Sequence, residues 1–273
     1  VNKLDLPKIN RRRKYLAALI AGLVAAAGVW ILSAPPGPGL DPDAASYLGA
    51  AESLAHGRGY RIPIADWRSP DSTSALAHFP PGYPTVLAAA IAIGATPAGA
   101  ARIVNAAAAF VTVATAAALV TSVAGVVTGV ALAAALIVMH AVVIVHLSVL
   151  SEPLFLACLV CTVAAMERFR RAPNERPRLG AAALAGVAAA GAVLVRYAGV
   201  AAVAAVVLWC AAIPAPIVVR ARRALVAALP AGVLFGAWVM RSYFMSGSHS
   251  IRAFGTYGEF GDTLAMGFST LVG

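Results

Sequence analysis

"PTVLAAAIAIGA" (residues 84–95) is the stretch whose reading decides the topology of this 273-residue chain. It is apolar, yet Pro84 closes one side and a Gly-Ala-Thr-Pro turn (94–97) the other. A helix needs about 20 apolar residues to cross the hydrocarbon core, and this stretch falls short. Charge gives an independent test. Long apolar segments lie at 15–34, 102–123, 125–147, 153–167, 180–198, 200–218 and 224–244. If only these cross, the basic clusters at 2–14, 168–178 and 220–223 all fall on the side of the N-terminus. If 84–95 crosses as well, the last two clusters change sides, against the positive-inside rule. The seven-span layout puts 14 Lys+Arg and 3 Asp+Glu inside, against 7 basic and 8 acidic residues outside. The expectation is an all-α polytopic membrane protein of about seven transmembrane helices, with 84–95 lying in or dipping into the outer interface.

Composition agrees. The chain is 61% hydrophobic and 12% charged, far from the roughly 25% charged of soluble domains. The segment at 15–34 exceeds the roughly 7–15 apolar residues of a cleavable signal and reads as an uncleaved anchor. The expected organisation is a cytoplasmic basic N-terminus (1–14), the first span, an outer loop with two surface helices (35–101), six further spans (102–244) and an outer C-terminal segment (245–273). The net charge of +10 is spread in clusters between apolar segments rather than along one face, so no nucleic-acid partner is implied. Cys158, Cys161 and Cys210 fall inside apolar segments. The Cys-Leu-Val-Cys run has no second pair of ligands and reads as inert packing cysteines.

Under this layout "GLDPDAASYLGAAESLAHGRGY" (39–60) faces outward. Asp41 is placed as an N-cap, Pro42 as the first helical residue, and Gly57 as the stop of a helix over 42–56. Tyr47, Ala51 and Leu54 follow Asp43 at helical spacing and share its face. Asp43 is either a solvated first-turn acid or a functional carboxylate. The Asp-Pro-Asp run also resembles the metal-holding DxD of nucleotide-sugar transferases, but those donors are cytoplasmic and this loop is not. In "HFPPGYP" (78–84), His78 and Tyr83 offer polar groups at the bilayer surface, or anchor the interface. Arg102, Glu152 and Arg196 stand at the outer lip, where charges default to function or to mutual pairing. Their shared side with Asp43 favours one site, with a Glu152–Arg pair as the structural alternative. His140 reads as a packing or hydrogen-bonding residue, and His146 is open.

In "PDAASYLGAAESLAHGRGY" (42–60), "HFPPGYP", "ARIVNA" (101–106), "LSEP" (150–153), "VRYAG" (195–199) and "WVMRSYFMSG" (238–247), the chain resembles the GT-C integral-membrane glycosyltransferases, closest to the protein O-mannosyltransferase and aminoarabinose transferase group. The resemblance implies a front module of seven spans, with surface helices in the first outer loop. It implies transfer of a sugar from a polyprenyl-phosphate carrier to a glycan, lipid or protein acceptor on the outer face of the cell membrane. By the same likeness Asp43, four residues before Tyr47, is the catalytic acid. Arg196, Glu152, His78, Tyr83, Tyr47 and Arg102 then belong to the donor-phosphate or substrate side. A single carboxylate suffices as general base for an inverting attack, with arginine stabilising the phosphate leaving group. No metal and no cofactor beyond the lipid-linked donor are required. Family members usually continue with further spans and an outer domain, so a partner chain supplying those parts is a possible companion. The other readings are a non-catalytic carrier-lipid-binding or assembly subunit, and a transporter; the chain lacks the repeated halves that transporters often show.

Overall fold

The computed structural model describes residues 11–63 and 72–246. The segment expected at 245–273 therefore lies almost wholly outside the described residues. In chain order the helices are α1 (Arg11–Leu32), α2 (Ala44–Ala55), α3 (Gly82–Ala92), α4 (Pro97–Ala124), α5 (Val126–Val138), α6 (His140–His146), α7 (Glu152–Arg171), α8 (Glu175–Val195), α9 (Val200–Ala212) and α10 (Ile217–Ser246). A short antiparallel ribbon interrupts the otherwise helical chain. Its strands β1 (Arg61–Pro63) and β2 (Thr73–Ala75) pair Arg61 with Ala75 and Pro63 with Thr73.

Helical segments occur where the apolar runs predicted them, and four or five of the seven expected spans are long and apolar enough to cross a membrane by themselves. Tyr15–Leu32, Pro97–Ala124, Glu175–Val195 and Ile217–Met245 are long and apolar enough to cross a membrane. A fifth is reached if α5 and α6, bent by 61° at their junction, form one broken span. Met139 adopts an extended conformation there and interrupts the helix. The run predicted at 153–167 becomes α7, which carries Glu152 at its first turn and Arg168, Arg170 and Arg171 at its last, leaving too short an uncharged middle. The run at 200–218 becomes α9, only 13 residues long, because Arg196 is extended before it and the chain leaves the helix at Ile213.

The stretch at 84–95 does form a short helix. At 11 residues and about 1.5 Å per residue, α3 is too short to span. Tyr83, Leu87, Ala88 and Ala90 are buried along it, packed with Tyr47 and Ala51 of α2 and Ala101 and Val104 of α4. Gly82, at its first position, is pressed against α8: an added Cβ would stand 2.7 Å from the Leu194 carbonyl oxygen.

Elsewhere alanine sets the packing. Ala18 and Ala25 of α1 meet Ala109, Val113 and Ala117 of α4. Ala181, Ala185 and Ala189 of α8 meet Phe169, Val206, Cys210 and Ala227. Small side chains let backbones approach closely, which is how helices gain contact in lipid, where hydrophobic burial supplies no drive. The large apolar residues of α1 point outward instead: Leu23 and Ile31 are exposed, as a lipid-facing helix requires. Cys210 is buried in this alanine-rich core and all three cysteines are free.

Candidate functional site

Two tethers draw the loop that follows α1 onto the start of α7. Gly39 N–H donates to the Leu147 carbonyl and Val149 N–H donates to the Gly39 carbonyl, both at 2.8 Å, a parallel bridge between Gly39 and Ser148. The chain leading into Asp41 and Asp43 is thus fixed beside the chain leading into Ser151 and Glu152. Asn105, buried in α4, supplies the second tether. Its amide donates to the carbonyls of His146 (3.1 Å) and Ser148 (2.7 Å), and its own carbonyl accepts from the Tyr83 hydroxyl (3.3 Å). One side chain thereby satisfies two backbone acceptors at the C-terminal end of α6 and anchors α3 as well. His146 is buried, with Nδ1 donating to the Val142 carbonyl at 2.7 Å. His140 is exposed beyond the break at Met139 and hydrogen-bonds nothing among the described residues, so it is not the packing histidine that the sequence suggested.

The cap expected at Asp41 is corrected. The helix begins at Ala44, so the cap position belongs to Asp43, and no side chain caps it. Asp41 takes part through its backbone, its carbonyl accepting from Ala44 N–H at 2.9 Å. Asp-Pro-Asp is spent on this turn because Asp43 already has helical φ and ψ (−72°, −20°). A side-chain cap needs an extended backbone. Asp43 is exposed and bonds no described side chain. Its carboxylate stands free at the positive end of α2. The stop is as predicted: Gly57 has φ +74° and its N–H donates to the Leu54 carbonyl.

From Asp43 the shared face runs inward. Tyr47 and Ala51 are buried and Leu54 packs beside them. The Tyr47 ring lies against Phe79 (4.9 Å) and edge-on to Tyr83 (5.2 Å). Its hydroxyl meets Ser151 Oγ at 3.2 Å. Arg196 Nη1 donates to the same Oγ at 3.1 Å and forms an ion pair with Glu152 Oε1 at 2.6 Å. Burial pushes the Tyr47 phenol above its ordinary range, and the nearby Asp43 and Glu152 charges add to that while Ser151 and Arg196 oppose it. Burial raises Tyr83 further, reinforced by Tyr47 and Glu152. Asp43, Tyr47, Ser151, Glu152 and Arg196 therefore form one electrostatic neighbourhood at the bundle's end. The Arg196 and Glu152 side chains remain 39% and 33% exposed.

The pairing alternative weighed for Glu152 is what forms, with Arg196 as its partner. It is an open pair. Glu152 Oε2 has no hydrogen-bond partner, and the remaining Arg196 donors bond nothing among the described residues. His78 lies at the rim, edge-on to Phe79 at 4.9 Å. Arg102 is not brought here: it stacks on Trp30 (4.1 Å to the ring) and donates to the Trp30 carbonyl (2.8 Å), closing the end of α1. Ser151 and Asn105 are the residues that sequence reading passed over. Ser151 is fully buried yet joins Tyr47 to Arg196. A polar residue inside the apolar run 102–123 was the available signal for Asn105. Among the described residues no three of His, Cys, Asp and Glu converge as metal ligands.

A groove of about 590 Å³ runs beside the cluster between α3, α7, α8 and α10. Leu154 and Val195, sequence neighbours of Glu152 and Arg196, form part of its wall. Half-exposed Val86 and Leu234 open it toward lipid, and Trp238 and Arg241 close one end. Arg241 donates to the carbonyls of Leu76 (2.5 Å) and Tyr60 (3.0 Å), strapping the segment before α3 to α10.

No curated protein and no solved structure matches the chain. A family model described as dolichyl-phosphate-mannose-protein mannosyltransferase matches residues 71–237, a range that takes in His78, Tyr83, Arg102, Glu152 and Arg196 and begins after Asp43. With more than half of its length matched, the chain belongs to the dolichyl-phosphate-mannose-protein mannosyltransferase family, membrane glycosyltransferases that use a lipid-linked sugar donor.

Proposed function

We propose that the chain transfers a sugar from a polyprenyl-phosphate carrier to an acceptor hydroxyl at the outer face of the membrane, with inversion and with Asp43 as general base. The observation that carries this reading is the pairing of a free, exposed carboxylate at the head of α2 with an incompletely satisfied guanidinium reached through Tyr47 and Ser151. Asp43 accepts the proton of the acceptor hydroxyl. The acceptor oxygen bonds to the anomeric carbon as the carbon–oxygen bond to phosphate breaks. The departing polyprenyl phosphate takes that electron pair, and the free donors of Arg196 stabilise its charge. A phosphate leaves as a stable anion, so no carboxylic acid is needed opposite the base, unlike the paired carboxyls of glycosidases. The groove beside Leu154 and Val195 accommodates the start of the polyprenyl tail. Glu152 holds the guanidinium in place through one oxygen. The acidic outer and basic inner charge distribution supports a cytoplasmic N-terminus. The acceptor is a glycan, lipid or protein hydroxyl.

Sugar transfer from a polyprenyl-phosphate donor pool in membranes tests the assignment. Asp43→Asn is expected to lower transfer by about 10²–10⁴-fold, the usual contribution of a general base, at unchanged folded yield. Asp41→Asn is expected to remain active, since the Asp41 backbone makes the turn. Full activity in Asp43→Asn overturns the base assignment. Donor binding without transfer by the wild type points to a carrier-lipid-binding subunit instead.

A further inference from the structure

At the arginine-rich end of the bundle lies a second groove, of about 690 Å³, between α1, α4 and α7. Its floor is apolar: Leu19 of α1, Phe110 and Ala118 of α4, and Ala164 of α7 line it. Its rim is charged. Arg168 and Arg171 stand on it beside Glu167. Glu167 is held by Arg170 at 2.6 Å and by Arg171 at 2.5 Å, so one carboxylate serves two guanidinium groups. Arg168, exposed, has no partner among the described residues. The rim is therefore in net positive excess above a hydrocarbon-lined trough.

We propose that this groove is a binding site for an anionic phospholipid, its phosphate at Arg168 and Arg171 and one acyl chain along Leu19, Phe110 and Ala164. The two halves of the site match the two halves of such a lipid, and basic pockets between spanning helices are a recurring mode of acidic-headgroup capture. A zwitterionic lipid would gain the trough but little from the unpaired charge. The inference is independent of the transferase reading.

The test uses the full chain in nanodiscs and counts the lipids retained after extraction, by native mass spectrometry, comparing phosphatidylglycerol with phosphatidylcholine. Wild type is expected to retain phosphatidylglycerol in preference. Arg168→Gln is expected to weaken that preference about fivefold, the weight of one basic side chain at an acidic headgroup. Arg222→Gln removes one exposed charge elsewhere in the basic clusters and should leave it unchanged. Ala164→Trp fills the trough with the rim charges intact and should release the lipid; a thermal unfolding scan of each variant confirms that it is folded. Equal retention of both lipids overturns the proposal. So does an Arg222→Gln effect as large as that of Arg168→Gln, which would mean a diffuse basic surface. Undiminished retention in folded Ala164→Trp overturns the acyl-chain part and with it the site as stated.

Discussion

Two ion pairs at opposite ends of the bundle differ in how completely they are satisfied. Glu175 receives Arg223 in a fork, Nε at 3.0 Å from Oε1 and Nη2 at 2.5 Å from Oε2. Arg223 is only 3% exposed, lies near the Phe169 ring and also donates to the Ile213 carbonyl. Each guanidinium nitrogen of that pair has a partner although Glu175 itself stays 31% exposed, and its work is to fasten the start of α10 to the start of α8. Glu152 and Arg196 meet through one oxygen and one nitrogen, are each more than 30% exposed, and leave Oε2 and several N–H donors unspent. A fold gains nothing from leaving a buried oxygen without a partner, since an unmade hydrogen bond costs more than a made one returns. The open pair is the one placed beside Asp43. Incomplete satisfaction distinguishes a charge held for a ligand from a charge held for the fold.

Three substitutions and a titration can break or sharpen this contrast. The largest effect is expected at the open pair. Arg196→Gln should reduce sugar transfer about 10²-fold, the scale of losing one preorganised donor at a developing charge, while thermal unfolding in detergent moves by no more than about 1 kcal/mol for a half-exposed pair. A stability loss that accounts for the whole activity loss would make Arg196 structural. The closed pair should behave oppositely. Arg223→Gln is expected to cost about 2 kcal/mol of stability, below the usual loss for breaking a buried pair because Glu175 keeps access to water. Its transfer rate per folded molecule should not change.

Tyr47→Phe comes next. It removes the hydroxyl contact with Ser151 but leaves the ring packed, so the expected loss is about 1 kcal/mol, seen by the same unfolding measurement. The smallest effect is a pH dependence. Burial raises the Tyr47 and Tyr83 phenols, so the stability they contribute is complete below the ordinary phenol value of about 10 and is lost as pH rises through their higher folded values. An unfolding series into the alkaline range should show this decline, and Tyr83→Phe should flatten it. An identical slope in that variant would mean that Tyr83 ionises as freely folded as unfolded.

Much of this was legible before any coordinates. Helix positions followed from uninterrupted apolar runs, and the shortness of 84–95 kept α3 out of the span count. The face joining Tyr47, Ala51 and Leu54 followed from helical spacing. Asp41 was misread because a cap is decided by backbone angles at a single residue, and Asp-Pro-Asp fits two starting points one or two residues apart. Two of the seven expected spans fall short on length and composition because charges at the ends of α7 and the early end of α9 shorten segments that a hydropathy reading joins. Arg102 looked like a site residue from its place at the lip; only the packing of α4 against α1 sends it to Trp30.

The sequence by itself determined that this chain is a helical membrane bundle, which of its ends is basic, and which acids and arginines stand at the other. Those follow from composition and one-dimensional order, because burying apolar runs in lipid and segregating charge need no particular partner. Only the tertiary structure decided that Ser151 links Tyr47 to Arg196, that Glu152 takes Arg196 while Arg102 goes elsewhere, and that Asn105 locks the broken helix to α3. Each of these joins residues at least 22 positions apart. Hydrogen bonds of this kind have exacting reach and angle, so they depend on how α3, α4, α7 and α8 settle against one another, which no local pattern encodes.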